Sequence, residues 1–314
     1  MEKKQPLIAV VGPTASGKTA VGIELAKEYN GEVVSADSMQ IYKGMDIATA
    51  KPDEEEMQGI PHHLISELEP TSSFSVAEYV KLAQQKIEDI AARGKLPILV
   101  GGTGLYVSSL IDNINFDNAI TDGSVRRKLT EEAERIGNEA MLERLRKVDP
   151  EAAEKIPAAN LVRIIRALEV YEVTGIPFSK HKELNRMQDS LYNACMIGLT
   201  YKDRSVLYDR INRRVDIMLE KGLIEECRAV YVNEKLGTAC QAIGYKEFIP
   251  YFEGTKPKEE CINKIKQYSR NYAKRQLTWF RRDERIRWVE IEEDTAFSTI
   301  IAECKKIVAK TEIL

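Results

Sequence analysis

The residues best placed to do chemistry lie near the start of the chain, where residues 12–19 read GPTASGKT. This is the spacing GxxxxGK[ST], in which glycines let backbone N–H groups surround an anionic phosphate at the start of a helix. Lys18 supplies a positive charge to the phosphates, and the hydroxyl of Thr19 can reach a magnesium ion. We therefore predict that the whole motif binds phosphate, through Gly12, Pro13, Thr14, Ala15, Ser16, Gly17, Lys18 and Thr19.

A second candidate is Asp37, because the motif alone does not say what the phosphate belongs to. A GTPase needs the sequence NKxD, and Asn263–Lys266 lacks the aspartate; the apolar run 97–100 ends in glycines where an ATPase has an acid. Asp37 does follow a buried run, VVSA. The carboxyl ends of parallel strands open on the ligand crevice, so Asp37 is expected beside the phosphate loop. There it could bind magnesium, cap a helix or act as a general base.

The elements that position these residues alternate along the chain. Apolar, β-branched runs predict strands, and the amphipathic segment 75–94 is typical of the helices between them. This alternation predicts a P-loop NTPase-like α/β fold, a parallel sheet with helices on both faces. From Ser124 to about Arg186 every periodic segment is helical. The predicted strands are 7–11, 32–37, 97–102, 194–200 and 285–291, and later helices are predicted at 203–221, 222–234, 257–282 and from about 294.

The domain organisation follows from that pattern. We expect a P-loop α/β catalytic core from residues 1–115 and 190–314, with a helical C-terminal part. Residues 116–189 would form an all-helical insertion domain within it.

Charge is sorted along the chain. The net charge is −3, which excludes a uniformly basic nucleic-acid coat, yet residues 256–287 alone carry 11 basic and 4 acidic side chains. Within them Lys266, Arg270 and Lys274 repeat at helical spacing, and Arg281 continues the face two turns on. This basic face indicates an anionic partner near the C-terminal third of the chain.

Cysteine and histidine usage argues against a zinc site and against disulfides. The five cysteines show no CxxC pair, and adjacent His62 and His63 point apart in any regular structure. No apolar run approaches the roughly 18 residues of a membrane span. We expect a cytoplasmic monomer with reduced thiols and no membrane association.

Eight segments in series give the chain a family resemblance. It resembles the tRNA dimethylallyltransferases, also called tRNA isopentenyltransferases. The segments are GPTASGKT at 12–19, DSMQIYKGMDIATAKP at 37–52, PHHL at 61–64, GGTGLY at 101–106, RIIRALEV at 163–170, RINRRVDIML at 210–219, QAIGYKE at 241–247 and SRNYAKRQLTWFR at 269–281.

The resemblance implies a magnesium-dependent transfer of a dimethylallyl group from dimethylallyl diphosphate to the exocyclic amine of adenosine 37 in tRNA, with release of diphosphate. Asp37 would be the general base, and Thr19 would hold the Mg2+. Arg214, which could otherwise be a surface salt bridge, would face the diphosphate, since a planar guanidinium suits paired phosphate oxygens. Thr103 would lie between the active site and the tRNA, and it could also be a helix N-cap.

The family also implies tRNA contacts, with the anticodon stem-loop held between core and insertion. The chain departs from the family at Val162, where many relatives carry Gln, and at Gln241–Ala242, where some carry Arg–Cys. Trp279 and Phe280 are expected in the core. The implied contacts are Asp37, Ser38, Met39, Gln40, Thr103, Arg126, Arg163, Arg166, Gln241, Gly244, Tyr245, Lys246, Arg270, Lys274, Arg275 and Arg281.

The main alternative is a nucleotide or small-molecule kinase with the same sheet. A kinase would explain the phosphate loop and a base at Asp37. It would not explain the basic C-terminal face or the motifs of the insertion. A nucleotide-gated RNA-binding switch is a further alternative, but no switch elements are evident in the sequence.

Overall fold

The structure, a computed structural model, describes residues 4–114, 123–180, 189–231 and 238–313. The chain forms two compact units, one of Met1–Ile111 together with Leu191–Leu314 and the other of Asp112–Ser190. The second unit therefore interrupts the first along the chain.

The first unit is built on a six-stranded sheet in the order β3-β2-β4-β1-β5-β6. Every neighbouring pair is parallel, which confirms the predicted sheet. Since β1 lies between β4 and β5, the carboxyl ends of three strands meet beside the phosphate motif. The strands are β1 Gln5–Val11, β2 Gly31–Ser35, β3 His62–His63, β4 Leu96–Gly101, β5 Tyr192–Tyr201 and β6 Arg287–Ile291.

The helices of the first unit cover the sheet and extend beyond its last strands. No helix in the described ranges is long and apolar enough to span a membrane. In chain order the helices named here are α1 Lys18–Glu28, α2 Glu54–Met57, α3 Val76–Ala92, α4 Gly104–Ile111, α5 Ser124–Val148, α6 Pro150–Lys155, α7 Leu161–Thr174, α8 Arg204–Glu220, α9 Leu223–Tyr231, α10 Tyr245–Phe252, α11 Lys258–Phe280 and α12 Phe297–Thr311.

The core of the first unit lies on the central strands. The run Leu7–Val11 is fully buried, as its unbroken apolar sequence predicts. One cluster joins these strands to α1 and α12 through side chains such as Leu25, Ile98 and Val308. The predicted last strand and final helix are therefore part of the sheet domain.

Local sequence sets the ends of the elements. Ser75 caps α3 by accepting the Glu78 N–H while the Glu78 side chain accepts the Ser75 N–H, a capping box. The helix stops before Gly94, whose φ of 71° is left-handed. The helix that the amphipathic pattern predicts at 75–94 is therefore present, and the capping box at its start is an additional local signal.

The second unit, in the part that is described, is helical. Helices α5, α6 and α7 share a core that includes Leu129, Leu145 and Leu168. Asp149 is buried and caps α6, and its carboxylate also accepts bonds from the N–H and hydroxyl of Ser179. The end of the predicted helical segment, residues 181–188, lies outside the described residues.

The structure corrects three details. The strand predicted at 32–37 ends at Ser35, so Asp37 lies in the turn after it. The strand β3 was not predicted, because two residues show no periodicity. Helix α10 was not predicted either, since it is short and contains Pro250. The end of the helix predicted at 222–234 lies outside the described residues beyond Tyr231.

Candidate active site

The phosphate motif connects the end of β1 to the start of α1. Gly17, just before α1, has a φ of 89°, which glycine adopts without strain. A Cβ on Gly12 would lie 2.6 Å from the carbonyl oxygen of Leu199 in β5, so only glycine fits there. Because the first turn of α1 carries no acidic residue, its N–H groups and dipole favour an anion.

A cavity of about 230 Å³ opens beside this loop. Its polar lining includes Lys18, Asp37 and Arg214, while helices α8 and α11 contribute apolar side chains such as Val215 and Ile265. A site with a few converging charges and an apolar wall suits a small anionic ligand that carries an apolar group.

Two cations share the polar end of the cavity. Burial and the neighbouring Arg214 lower the pKa of Lys18 to about 8, against the opposing effect of Asp37. Burial also lowers the pKa of Arg214, although Asp37 and Glu56 favour its charged form. Two desolvated positive charges facing one carboxylate leave the site short of negative charge, which an anionic ligand would supply.

Arg214 belongs to this site and not to a surface ion pair along α8. Its guanidinium donates to Thr14 Oγ1 and to the carbonyl oxygen of Ala50, each at 3.4 Å. Asp216, an acidic residue of the same helix, is paired with Lys266 at 2.6 Å. Both bonds of Arg214 are long, so the guanidinium retains capacity to bind phosphate oxygens.

Asp37 lies two residues beyond β2, at the edge of the sheet that faces the cavity. Its Oδ1 accepts the backbone N–H groups of Met39 at 2.9 Å and Gln40 at 3.4 Å. Among the described residues, no hydrogen bond is made to Oδ2. One oxygen therefore fixes the carboxylate, and the other is left for a proton or a metal ion.

Thr103 and Tyr272 complete the surroundings of Asp37. The Thr103 Oγ1 accepts the Ser38 N–H at 3.1 Å, and its carbonyl oxygen accepts the N–H groups of Tyr106 and Val107 in α4, so Thr103 also occupies the cap position. Burial and then Asp37 raise the pKa of Tyr272 to about 12, opposed by a hydrogen bond with Thr103. Tyr272 is thus a neutral hydroxyl next to the carboxylate.

Gln276 is a site residue that the sequence did not single out. Its Oε1 accepts the Thr14 N–H and its Nε2 donates to the Gly102 carbonyl oxygen, both at 2.9 Å. It therefore ties the phosphate loop to the end of β4. The feature of the sequence that could have identified Gln276 is its polar side chain on the apolar face of α11, next to Ala273 and Leu277.

The predicted contacts after Asp37 lie on the cavity wall. Ser38, Met39 and Gln40 all line it. The Gln40 side chain is fixed between the Ser35 hydroxyl and the carbonyl oxygens of Thr49 and Ala50, at 3.1–3.2 Å. Their role in tRNA binding stays a prediction.

In the QAIGYKE segment, residues 241–247, some residues line the cavity and others pack inside the protein. Gln241 and Gly244 line the cavity, and Lys246 is exposed. Tyr245 is buried, and its hydroxyl donates to Glu226 at 2.7 Å. Its side chain therefore packs inside the protein, and the tRNA contact of Tyr245 stays a prediction.

The basic face of α11 is only partly open. Lys266 pairs with Asp216, and Arg270 donates to Asn212 Oδ1 at 2.6 Å, so both point toward α8. Lys274 and Arg281 are exposed, while Arg275 lies over the ring of Tyr272 and lines the cavity.

The two aromatic residues at the end of α11 differ. Phe280 is buried, as expected. Trp279 is 43% exposed, so the expectation that it is a core residue was wrong. Its indole packs against Gly104, where a Cβ would lie 2.3 Å from the ring.

In the second unit, two of the three candidate arginines share one partner. Arg126 of α5 and Arg166 of α7 each donate to Glu169 Oε2 at 2.7 Å, and Glu169 is 2% exposed. Arg163 is exposed on α7. The carboxylate holds two guanidinium groups side by side.

The adjacent histidines behave as predicted. His62 lines the cavity and its Nδ1 bonds the Ile60 carbonyl oxygen, whereas the His63 Nε2 lies 2.7 Å from Glu32. The residues described include no group of three or more His, Cys, Asp or Glu that could hold a metal. A magnesium ion that is held through substrate phosphates needs only one or two protein oxygens, and Thr19 and Asp37 line the same cavity.

A glycine-rich loop between a strand and a helix at a parallel-sheet edge, with a carboxylate and an apolar wall beside it, is typical of P-loop proteins that bind a small phosphorylated ligand. Comparison with known proteins identifies the family. The model of the family described as "IPP transferase" matches residues 40–283. A tRNA dimethylallyltransferase of Acetivibrio thermocellus is 48% identical over 305 residues, 96% of this chain and 97% of that protein. The chain therefore belongs to the IPP transferase family of tRNA dimethylallyltransferases and is an enzyme.

Solved structures agree with this assignment. The full-length tRNA isopentenylpyrophosphate transferase of Bacillus halodurans is 47% identical, with a TM-score of 0.74 over 98% of this chain and 97% of that one. A eukaryotic dimethylallyltransferase, described as acting on tRNA, is 30% identical with a TM-score of 0.80, over 98% of this chain and 80% of that one.

Proposed function

We propose that the enzyme transfers a dimethylallyl group from dimethylallyl diphosphate to the exocyclic amine of adenosine 37, next to the anticodon of tRNA, and releases diphosphate. The observation that carries the proposal is the single cavity in which Lys18, Arg214 and Asp37 meet an apolar wall. Family membership supports tRNA as the acceptor.

The leaving group would be held by the phosphate loop. In the reaction the bond between C1 of the dimethylallyl group and the diphosphate oxygen breaks, and negative charge grows on the diphosphate. The loop N–H groups, Lys18 and Arg214 would be directed at that charge, so they would stabilise the transition state more than the ground state. The apolar side chains of α8 and α11 would cover the dimethylallyl group.

The acceptor amine forms the new bond to C1 and must lose a proton. Asp37 Oδ2 would accept that proton, because Oδ1 is held by two backbone N–H groups. Tyr272 lines the same cavity as the carboxylate, and Thr103 accepts the N–H of Ser38, the next residue, so both would help to orient the base. The adenine must leave its stack to reach this carboxylate, at a cost of a few kcal/mol that contacts with the RNA loop would offset.

Magnesium fits the same site. Thr19 would hold the ion through its hydroxyl, with diphosphate oxygens and water as the remaining ligands. When bound, it would neutralise charge on the diphosphate.

We also propose a cytoplasmic location for the enzyme. The five cysteines, all within the described residues, form no disulfide, which is usual for a reducing compartment.

Transfer is tested with dimethylallyl diphosphate that is radiolabelled in its dimethylallyl group, and with unmodified tRNA. Label should enter tRNA that has adenine at position 37 and should not enter the same tRNA with guanine there. Omission of magnesium should abolish transfer. Transfer of the γ-phosphate of ATP to a small acceptor without RNA, and no label in tRNA, would instead establish the kinase alternative.

A further inference from the structure

The loop of residues 46–50, next to the active site, is held in place by a carboxylate that does not itself line the cavity. Glu226 of α9 accepts the consecutive backbone N–H groups of Asp46, Ile47 and Ala48 at 2.7–3.0 Å. Tyr245 adds its hydroxyl at 2.7 Å. Three successive N–H groups that converge on one point form an anion-binding nest, and here the chain fills the nest with its own side chain.

The same loop continues directly into the wall of the cavity. Ala48, Thr49 and Ala50 line the cavity, and Ala50 has a φ of 48°, a left-handed value that costs energy for a residue with a Cβ. Such a conformation persists only where its surroundings impose it. Glu226 fixes residues 46–48, which precede Thr49 and Ala50 in the chain.

The strained segment then presents its carbonyl oxygens to two site residues. The Ala50 carbonyl oxygen accepts from Arg214 at 3.4 Å and from Gln40 at 3.2 Å, and the Thr49 carbonyl oxygen also accepts from Gln40 at 3.2 Å. Gln40 in turn donates its backbone N–H to Asp37 Oδ1 at 3.4 Å. A connected path of hydrogen bonds thus runs from α9 to Arg214 and Asp37.

A second anchor holds the loop at Lys51. The Lys51 ammonium donates to the Tyr42 carbonyl oxygen and to the Ser66 hydroxyl, each at 2.7 Å, and it also pairs with the Asp46 carboxylate. Loss of the Glu226 bonds would therefore release the N–H groups of residues 46–48, while Lys51 still holds both ends of the loop and the fold stays intact.

We propose that Glu226 is a positioning residue for this active site, and that Tyr245 supports it. The carboxylate holds the loop 46–50 so that Ala50 and Gln40 place the Arg214 guanidinium and the Asp37 carboxylate. Gly244 contributes by allowing α10 to approach, since a Cβ there would lie 3.2 Å from the Ala48 Cβ. The proposal rests on the proposed function for what the site binds.

The principal test replaces Glu226 by Gln, which keeps the shape but turns one acceptor oxygen into an NH2 group that faces the N–H donors. The affinity for inorganic diphosphate, measured by calorimetry, should fall about tenfold, and kcat for transfer should fall with it. The KM for tRNA should stay within about twofold. Amide hydrogen exchange of residues 46–50 should accelerate, while exchange in β1 and β4 stays slow.

Two further variants sharpen this test. Tyr245→Phe removes one donor and keeps the packing, so it should show a smaller loss, about twofold to threefold. Glu225→Gln is the matched control, because Glu225 precedes Glu226 on α9 and is exposed. It should leave exchange and affinity unchanged.

Coupling to Arg214 separates positioning from general destabilisation. If Glu226 acts mainly through Arg214, its tenfold effect on diphosphate affinity should shrink to threefold or less in an Arg214→Ala background. A tenfold effect of Glu226→Gln on diphosphate affinity in the Arg214→Ala background would overturn the proposal. So would a diphosphate affinity of the single Glu226→Gln variant that lies within twofold of the parent enzyme. If the parent enzyme puts no label into tRNA, the proposed function fails, but diphosphate affinity and hydrogen exchange still decide the role of Glu226.

Discussion

Asp37 lines the cavity together with two desolvated cations, Lys18 and Arg214, and its carboxylate favours the charged form of both. The positive charges of Lys18 and Arg214 would be matched by the diphosphate once it binds. In the proposed reaction the carboxylate would then face the incoming amine, with one oxygen fixed by backbone N–H groups and the other available. A base that is positioned in this way needs no histidine partner.

Replacement of Asp37 by Asn should lower kcat by roughly 10²–10⁴, the usual range for loss of a general base. The side chain keeps its Oδ1 acceptor for Met39 and Gln40, so the turn and the affinity for tRNA should be preserved. Single-turnover transfer of labelled dimethylallyl groups measures the chemical step. Asp89→Asn, on the exposed face of α3, is the control; near-normal turnover of the Asp37 variant would mean that another group takes the proton.

Burial of the Lys18 ammonium lowers the stability of the folded, ligand-free protein. Its pKa is about 8 in the folded chain and 10.5 in a model peptide, so the folded state binds fewer protons between these values. Stability should therefore rise with pH between about 8 and 10.5, and below pH 8 the whole cost is present. Lys18→Met should stabilise the ligand-free protein at pH 7 by roughly 1–3 kcal/mol and flatten this pH dependence.

The same Lys18 variant should lose activity. It removes a charge that acts on the leaving diphosphate, so the KM for dimethylallyl diphosphate should rise and kcat should fall. Urea unfolding at pH 7 and pH 9.5, together with steady-state kinetics, measures both effects. If Lys18→Met is less stable than the parent protein at pH 7, then burial of the charged lysine does not destabilise the fold.

At the scale of elements, α5 and α7 form a candidate RNA surface through their shared carboxylate. Burial raises the pKa of Glu169, but hydrogen bonds from Arg126 and Arg166 outweigh that effect, so the pKa is lowered overall. The ionised carboxylate thus fixes two guanidinium groups at one spacing, and their remaining N–H groups are available for phosphates. The ionised Glu169 carboxylate stabilises the fold fully above pH 4.5, its ordinary pKa, and this stabilisation is lost as the pH falls through its lowered pKa.

Glu169→Gln should weaken tRNA binding several-fold, because the amide cannot hold both arginines in place. It should also destabilise the protein by roughly 1–3 kcal/mol, since a buried charged partner is lost. Binding is measured by filter retention at constant salt, and stability by thermal unfolding. Glu151→Gln, an exposed member of a surface pair with Lys155, is the control and should change neither.

Sequence reasoning succeeded for elements whose signal is local. The apolar run Leu7–Val11, the phosphate motif and the capped helix at Ser75 each carry their information within a few residues, and each is present. It failed where a contact joins distant residues: Glu226 meets Asp46–Ala48 across about 180 positions. Trp279 was misassigned because helical periodicity places it beside buried residues, whereas in the fold its ring packs on Gly104 of α4 and the side chain is 43% exposed.

At the scale of the whole molecule, the net charge of −3 is opposed by the basic segment 256–287. Attraction of RNA therefore depends on which cations of that segment are unpaired in the fold. Lys266 is already neutralised by Asp216, and Arg270 points to Asn212. Lys274 and Arg281 are exposed, so we expect these two to meet phosphates.

Salt dependence of tRNA binding should separate the two groups of cations. Each phosphate contact contributes a slope of about 0.7–0.9 in log affinity against log salt, because counterions are released. The double variant Lys274→Gln, Arg281→Gln should therefore reduce the slope by about 1.5. Lys266→Gln removes the same kind of charge from the same helix, but its partner Asp216 already compensates it, and its slope should change by less than about 0.3. Equal slopes for all three proteins would mean that α11 is only solvated and that RNA is held elsewhere, on the arginines around Glu169.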